Sequence, residues 1–291
     1  MISPTGPHDS ALDESPLEDS VLEDSVLAAR GLAVRYDRRS VIDGLDLIVP
    51  PGSFTAIIGP NACGKSTLLR ALAGLLPASS GSVLLDGRDI ASYSAKDTAR
   101  RLGLLPQGAV SPEGITVAEL VARGRYAHQR LLRQWSVADE AAVTEALAET
   151  RVADLAKRPV DELSGGQRQR VWIAMVLAQQ TPLILLDEPT TYLDIAHQIE
   201  ILNLLHRLNA QGRTIVAVLH DLNHAARYAS NIVAMQEGRV VANGVPQSTI
   251  TADLVAEVFG LPNVVITDPV TGTPLVIPAD TRVQHQPAGR A

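Results

Sequence analysis

One segment of this sequence, residues 59–67, has the spacing of a phosphate-binding loop. It reads Gly-Pro-Asn-Ala-Cys-Gly-Lys-Ser-Thr and fits the pattern G-x-x-x-x-G-K-[ST]. Glycines let the backbone curl so that successive N–H groups point inward at phosphate oxygens, and a following helix adds its positive end. Lys65 would reach the β- and γ-phosphates, and the Ser66 hydroxyl would ligate Mg²⁺. The pattern therefore predicts a nucleotide site.

The stretches on either side of this loop predict the elements that must hold it. The apolar run at residues 54–58 predicts a buried strand, and residues 68–73 have the pattern of a helix. A phosphate loop requires this order of strand, loop and helix. The alternative is a glycine turn beside a stray lysine, but the chain has only three lysines, so chance explains the spacing poorly.

Two acids follow a second apolar run and are candidates for metal and water chemistry. Residues 183–186 predict a buried strand that delivers Asp187 and Glu188 at its carboxyl end, where ligands bind in open α/β sheets. Asp187 could hold Mg²⁺, and Glu188 could orient or deprotonate a water molecule. Paired acids at a strand end often only cap a helix, but Asp194 is the better cap for the helix predicted over 195–209.

Two further polar residues end predicted strands. Residues 214–219 predict a buried strand followed by His220. Residues 103–107 predict a short strand whose last residue is Gln107. A histidine at a strand end is usually structural. Here, however, its strand follows the strand of the two acids by one helix, and a βαβ unit can bring both ends to one edge of a sheet.

Two weaker signals concern an anion site and an aromatic residue. Residues 164–167, Ser-Gly-Gly-Gln, precede a helix predicted over 168–180, and exposed N–H groups at a helix start bind anions. The same composition also fits an ordinary turn. Tyr36 could stack on a nucleotide base, although an ordinary strand tyrosine is the alternative.

The remaining pattern predicts how the chain is divided. Residues 32–36 and 41–49 alternate apolar and polar side chains, as antiparallel strands do. Residues 112–158 carry no strand signal and predict helices capped by Thr116, over 117–124, and by Ser136, over 137–150. A hairpin over 232–242 and a last helix over 251–259 follow. The prediction is a sheet domain with an inserted helical subdomain.

Composition limits the function classes. The 291 residues are 46% apolar, and the longest apolar runs are only as long as strands, so no membrane span or secretory signal is expected. A single cysteine excludes an internal disulfide and fits a reducing compartment. The net charge of −7 lies entirely in residues 1–27, which hold seven acids and no lysine or arginine. A body without a basic stripe argues against nucleic-acid binding.

Taken in order, these motifs resemble the ATP-binding subunit of ABC transporters over about residues 30–278. The resemblance implies an α/β fold, a P-loop NTPase core with an N-terminal antiparallel β-subdomain and an inserted α-helical subdomain at about 108–180. One ABC ATPase domain would occupy residues 28–280, between a disordered acidic leader at 1–27 and a flexible tail at 281–291.

The resemblance also implies roles for the candidate residues. Glu188 would be the general base, His220 would contact the γ-phosphate, and Gln107 would touch the metal or water; Mg²⁺ would be held by Ser66, Gln107 and Asp187. ATP would be bound by Tyr36, Gly59, Pro60, Asn61, Ala62, Cys63, Gly64, Lys65, Ser66 and Thr67 and, from a second copy of the chain, by Ser164, Gly165, Gly166 and Gln167. Asp194 would lie at the interface between the two copies.

A narrower resemblance concerns the cargo. Residues 124–128, 190–198 and 219–228 are similar to importers of ferric siderophores, haem and vitamin B12. Residues 258–262, 268–270 and 272–274 are most similar to the ferric-siderophore branch. This implies an ATPase at the cytoplasmic face of the cell membrane, partnered by permease subunits and indirectly by a substrate-binding protein. Haem, vitamin B12 or metal-ion import stays open, as does a soluble ABC ATPase outside transport, which usually has two cassettes or coiled coils.

Two residues of the loop depart from, or add to, the family pattern. Ala62 stands where the family often has glycine, and we expect an ordinary negative φ there. Cys63 lies near Lys65 and a helix start, which would lower its thiol pKa and allow oxidative regulation.

Overall fold

The computed structural model describes residues 25–37, 39–129 and 135–279. The predicted flexible tail and all but residues 25–27 of the predicted leader lie outside the described residues. In these three described ranges, no helix is long and apolar enough to cross a membrane.

The described chain alternates strands and helices. The strands are β1 Leu27–Tyr36, β2 Arg39–Val49, β3 Phe54–Ile58, β4 Ser80–Leu85, β5 Arg88–Asp89, β6 Leu102–Leu105, β7 Leu183–Asp187, β8 Thr214–Val218, β9 Asn231–Gln236, β10 Arg239–Gly244, β11 Asn263–Thr267 and β12 Pro274–Pro278. The α-helices are α1 Lys65–Leu72, α2 Ala95–Ala99, α3 Val117–Ala122, α4 Val137–Glu149, α5 Gly165–Ala178, α6 Ile195–Ala210, α7 Leu222–Tyr228, α8 Pro246–Thr249 and α9 Ala252–Phe259.

A six-stranded sheet in the order β10-β9-β3-β8-β7-β6 forms the centre. Strands β6, β7, β8, β3 and β9 are parallel, and β10 is an antiparallel edge strand. Every residue of β3, β7 and β8 is buried, which explains why these strands are apolar at all but one position each. Because parallel strands end at one edge, the segments that follow β3, β6, β7 and β8 converge there.

The N-terminal strands form a second, antiparallel sheet in the order β2-β1-β4-β5, as the alternating pattern predicted. Helix α1 lies between the two sheets, because Leu68, Leu69 and Leu72 share one buried cluster with Leu27 of β1 and Ile57 of β3. The helix that follows the phosphate loop is therefore fixed from both sides.

Helices α3, α4 and α5 form the predicted helical insertion. Thr116 and Ser136 cap α3 and α4 through complete capping boxes, which confirms both caps. Helix α3 ends at Ala122, before the predicted end at residue 124, and continues as a 3₁₀ turn. The turn brings Gly124 so close to α5 that an added Cβ would lie 2.2 Å from the carbonyl oxygen of Met175.

A buried ion pair ties this turn to its neighbours. Arg125 donates through Nε to Asp139 Oδ1 at 2.8 Å and through Nη1 to the carbonyl oxygen of Ala178 at 2.8 Å. These bonds join the turn to the start of α4 and the end of α5. The fold class is therefore the predicted one, a mixed α/β core with an antiparallel β-subdomain and a helical insertion.

The sequence pattern did not predict the C-terminal hairpin of β11 and β12. It packs on α7 through Asn223, whose Oδ1 accepts from the backbone N–H of Val276 at 2.7 Å and whose Nδ2 donates to the Val276 carbonyl at 3.2 Å. Helix α7 begins directly after His220 and Asp221. The hairpin therefore supports the helix that follows one of the candidate site residues.

Candidate functional site

The segment at residues 59–67 follows β3 and runs into the first turn of α1, which begins at Lys65, before the predicted residue 68, and its glycines are required by its geometry. Gly59 and Gly64 have φ values of 152° and 106°. An added Cβ on Gly59 would lie 2.2 Å from the carbonyl oxygen of Met235 and 2.9 Å from Cys63 Sγ. A side chain at Gly59 would therefore displace β9 from the loop.

Ala62 contradicts the sequence expectation, because its φ is 62°. The expectation of a negative φ was wrong: closing this loop needs a left-handed residue at that position. For a residue with a Cβ, this conformation costs about 1–2 kcal/mol. The loop therefore holds backbone strain at Ala62.

Lys65 lies over the loop as the pattern predicted. Its Nζ donates to the carbonyl oxygens of Gly59 and Pro60, each at 2.8 Å, and its side chain is buried. An ammonium group with two of its three donors on the loop has a further donor for an anionic ligand.

Asp187 and Ser66 meet at the end of β7. The Ser66 hydroxyl donates to Asp187 Oδ1 at 2.8 Å, and Asp187 is only 2% exposed. Burial raises the pKa of the Asp187 carboxyl; the bond from Ser66 opposes this shift and the charge of Glu188 adds to it.

The second oxygen of this carboxyl is the strongest sign of a cation. Asp187 Oδ2 is buried and has no hydrogen-bond partner among the described residues. A buried, unpaired carboxylate oxygen is costly unless a positive group meets it. The donor set of a hydroxyl and a carboxylate suits Mg²⁺, which also takes oxygens from substrate phosphates. Across the described ranges no group of three or more His, Cys, Asp or Glu could hold a metal ion, so such phosphate oxygens would be needed.

Glu188 is held at both carboxylate oxygens. Its Oε1 lies 2.6 Å from His220 Nε2, and its Oε2 accepts from Gln107 Nε2 at 2.7 Å. The structure therefore brings together three residues that are far apart in sequence. The approach of His220 to Glu188 was predicted from their strand ends, whereas the contact of Gln107 with Glu188 was not. Glu188 also has a φ of 54°, a strained conformation of the kind that clusters at functional sites.

Thr191 is a contact that the sequence argument missed. Its hydroxyl donates to Glu188 Oε2 at 3.0 Å. The two residues close a turn, with the Thr191 N–H on the Glu188 carbonyl oxygen at 3.3 Å. The signal that could have found it is the hydroxyl three residues after the acid, at a spacing that a turn can close.

Several of these residues line one open cleft of about 450 Å³. The candidate residues on its wall are Asn61, Ala62, Gly64, Lys65, Ser66, Thr67, Gln107, Glu188 and His220. Val41 of β2, which the sequence argument missed, lines it as well. The cleft has the Lys65 ammonium, the Glu188 carboxylate and residues of the loop on its wall, and suits a phosphate chain and a metal.

Tyr36 lines a neighbouring cleft of about 710 Å³ together with Pro60, Asn61, Ala62 and Cys63. Val41, Asn61 and Ala62 belong to both clefts. Tyr36 is 44% exposed, so its ring is accessible to a ligand. One molecule with a phosphate chain and an aromatic ring could therefore occupy both clefts.

The segment at residues 164–167 lies elsewhere. Ser164 caps α5 through a capping box with Gln167. Gly165 and Gly166 are the first residues of this helix, whereas the prediction put them before it. Among the described residues that line the two clefts, none comes from this segment. This position agrees with the expectation from the family resemblance, in which the segment binds ATP held by a second copy of the chain.

Cys63 does not have the expected electrostatics. Burial raises the pKa of its thiol, and this outweighs the opposing effects of the Lys65 charge and of backbone hydrogen bonds. The expectation of a lowered thiol pKa was wrong, because the side chain is packed under the loop and is only 6% exposed. The geometry gives no support to a reactive thiolate.

Comparison with known families and proteins agrees with this geometry. Residues 42–191 match the family described as ABC transporter. The chain is 56% identical over 248 residues to the ferric enterobactin transport ATP-binding protein of Escherichia coli strain K12, with 85% of this chain and 92% of that protein covered.

Two solved structures have the same fold. One is a metal-chelate type ABC transporter in an inward-facing conformation, with a TM-score of 0.76 at 28% identity, covering 89% of this chain and 99% of that chain. The other is a bacterial ABC transporter cassette in dimeric form, with a TM-score of 0.68 at 27% identity, covering 75% of this chain and 98% of that chain.

Proposed function

Because this chain belongs to the ABC transporter family, we propose that it is the ATP-hydrolysing subunit of an importer of ferric siderophores. The observation that carries the proposal is the cleft lined by Lys65, Ser66 and Glu188, with the buried Asp187 bonded to Ser66. The relative that is 56% identical is a ferric enterobactin transport protein, which supports the cargo class.

ATP lies across both clefts in this proposal. Tyr36 stacks on adenine, and Lys65 and the amides of residues 59–67 bind the phosphates. Ser66, Asp187 and Gln107 would hold Mg²⁺, which would neutralise charge on the phosphates. The unpaired Asp187 Oδ2 supports this assignment.

Glu188 is the general base. It accepts a proton from the attacking water while His220 contacts the γ-phosphate. Both His220 and Gln107 now bond Glu188, so they must partly leave it to reach their nucleotide-side positions. Catalysis rests on positioning and on electrostatic stabilisation of the transferred phosphoryl group.

Two copies of the chain complete each site. The segment at residues 164–167 of one copy binds the γ-phosphate of ATP held by the other, in a head-to-tail dimer with two-fold symmetry. The position of this segment outside the clefts supports the arrangement, and one structural neighbour is a dimeric cassette. Dimer closure drives the permease, and hydrolysis resets it.

The partners follow from this role. The helical subdomain at about 108–180, inserted in a single domain over 28–280, receives the coupling helices of the permease subunits. The protein is peripheral, at the cytoplasmic face of the cell membrane, and meets a substrate-binding protein only indirectly. Two experiments test this: identification of the permease that copurifies with the chain, and stimulation of its ATPase activity by a siderophore permease. Copurification of a permease for haem, vitamin B12 or a metal ion would instead assign that cargo to the importer.

Replacing Glu188 with Gln tests the chemistry. Loss of the general base should slow ATP hydrolysis by roughly 10²–10⁴-fold and leave ATP binding and ATP-dependent dimerisation intact. The matched control is Glu145→Gln, on the exposed face of α4, which should hydrolyse ATP at the wild-type rate. A Glu188→Gln variant with near wild-type activity would refute the assignment.

A further inference from the structure

The starts of helices α5 and α6 lie side by side, and a histidine fills the space between them. An added Cβ on Gly166 would lie 2.7 Å from Cδ2 of His197, 3.0 Å from Cγ and 3.2 Å from Nε2. The imidazole ring therefore covers the Gly166 backbone. A glycine is therefore required at position 166, because a side chain there would collide with the His197 ring.

The other side of the same ring is bonded to Asp194. His197 Nδ1 and Asp194 Oδ1 are 2.8 Å apart, and the same oxygen accepts from the backbone N–H of His197 at 2.9 Å. The backbone amide and then the ring of His197 hold the pKa of Asp194 below its usual range, so the carboxylate is ionised and accepts both bonds. The His197 side chain thus contacts both Gly166, in the segment at residues 164–167, and Asp194.

A second link lies one turn further along the same helices. Arg170 Nη1 of α5 donates to Glu200 Oε2 of α6 at 2.8 Å, and the Arg170 side chain is 19% exposed. The two helices are therefore joined over their first turns, so a shift of one start moves the other.

We propose that His197 is a positioning residue that fixes the segment at residues 164–167 relative to Asp194. This inference rests on the proposed function, in which both segments of one subunit face the second copy: one binds its ATP and the other lies at the interface. A dimer that closes on ATP needs both segments in one arrangement at once. His197 supplies this arrangement before the partner arrives, which lowers the ordering cost of closure.

Four variants in the Glu188→Gln background test the proposal by ATP-dependent dimerisation, measured by light scattering against protein concentration. His197→Ala removes both contacts and should weaken the dimer about tenfold, the equivalent of one charged hydrogen bond. His197→Asn keeps a donor near Nδ1 without the ring, and His197→Phe keeps a ring without the donor; both should be intermediate. His206→Ala, exposed on the same helix, is the control.

ATP affinity of the monomer is the readout that separates positioning from a general structural effect. It should be unchanged in all four variants, because the residues of the two clefts are untouched. If the Glu188→Gln chain itself does not dimerise with ATP, the proposed function and this inference both fail. If it dimerises and His197→Ala dimerises equally well, the inference alone is overturned.

A thermal unfolding experiment on Gly166 tests the contact itself and does not depend on dimerisation. With His197 present, Gly166→Ala should lower the unfolding temperature, because the new Cβ meets the ring. With His197→Ala in the same chain, Gly166→Ala should raise it, since Ala favours a helix over Gly. The same sign in both backgrounds would overturn the proposed packing.

Discussion

Replacing Thr191 with Val removes one hydrogen bond from the candidate general base and little else. The Thr191 hydroxyl donates to Glu188 Oε2 at 3.0 Å, and the only other donor to that oxygen among the described residues is Gln107 at 2.7 Å. Valine has nearly the same shape as threonine, so the change isolates the hydroxyl.

The expected magnitude follows from these two contacts. In the proposed cycle Gln107 turns to the metal or water, which leaves Thr191 to hold Oε2 while the proton is transferred. A hydrogen bond to a charged group contributes about 1.5–3 kcal/mol, and the half-buried position of this bond favours the lower end. A loss of about 1.4 kcal/mol in the transition state is tenfold in rate. We therefore expect kcat to fall about tenfold and KM to change little.

Steady-state ATPase activity of the assembled transporter measures this effect. Thr190→Val is the matched control, because it is the same change at the neighbouring residue, whose hydroxyl makes no hydrogen bond within the described ranges. The reasoning is refuted if Thr191→Val keeps the wild-type kcat, or if Thr190→Val loses as much activity.

Three further predictions concern the loop and the hairpin. Lys65→Ala should lose most ATP affinity in a binding titration, because the ammonium held over the loop is removed; tight binding would contradict the phosphate cradle. Ala62→Gly should stabilise the protein by about 0.5–1 kcal/mol in urea unfolding, since relief of left-handed strain exceeds the added chain entropy; a destabilised variant would count against that strain. Asn223→Ala should destabilise the protein by about 1–3 kcal/mol and speed hydrogen exchange at Val276, and unchanged exchange would show that Asn223 does not hold the hairpin.

The sequence predicted the parts of the site that depend on local pattern. Buried parallel strands read as largely apolar runs, so the apolar residues before Asp187 and before His220 predicted that these side chains lie at strand ends. The order of strand, glycine loop and helix located Lys65 and Ser66 in the same way.

The features that sequence did not predict depend on tertiary contacts. The φ of Ala62 results from closing the loop against neighbouring strands, and the burial of Cys63 under that loop reversed its expected pKa shift. His197 contacts Gly166 from a different helix, and the spacing of residues along the chain does not predict contacts between helices. The hairpin of β11 and β12 is held by α7 through Asn223, about fifty residues away in sequence, so its own short strands gave too weak a signal.

The dependence of ATPase activity on protein concentration distinguishes a half-site from a complete one. In the proposed function, the isolated chain holds the phosphate loop, the metal ligands and the general base, and the segment at residues 164–167 comes from a second copy. At a fixed saturating ATP concentration, activity per molecule should therefore rise as monomers pair and should be very low where light scattering shows only monomer. Full activity per molecule in that monomeric range would contradict the shared site.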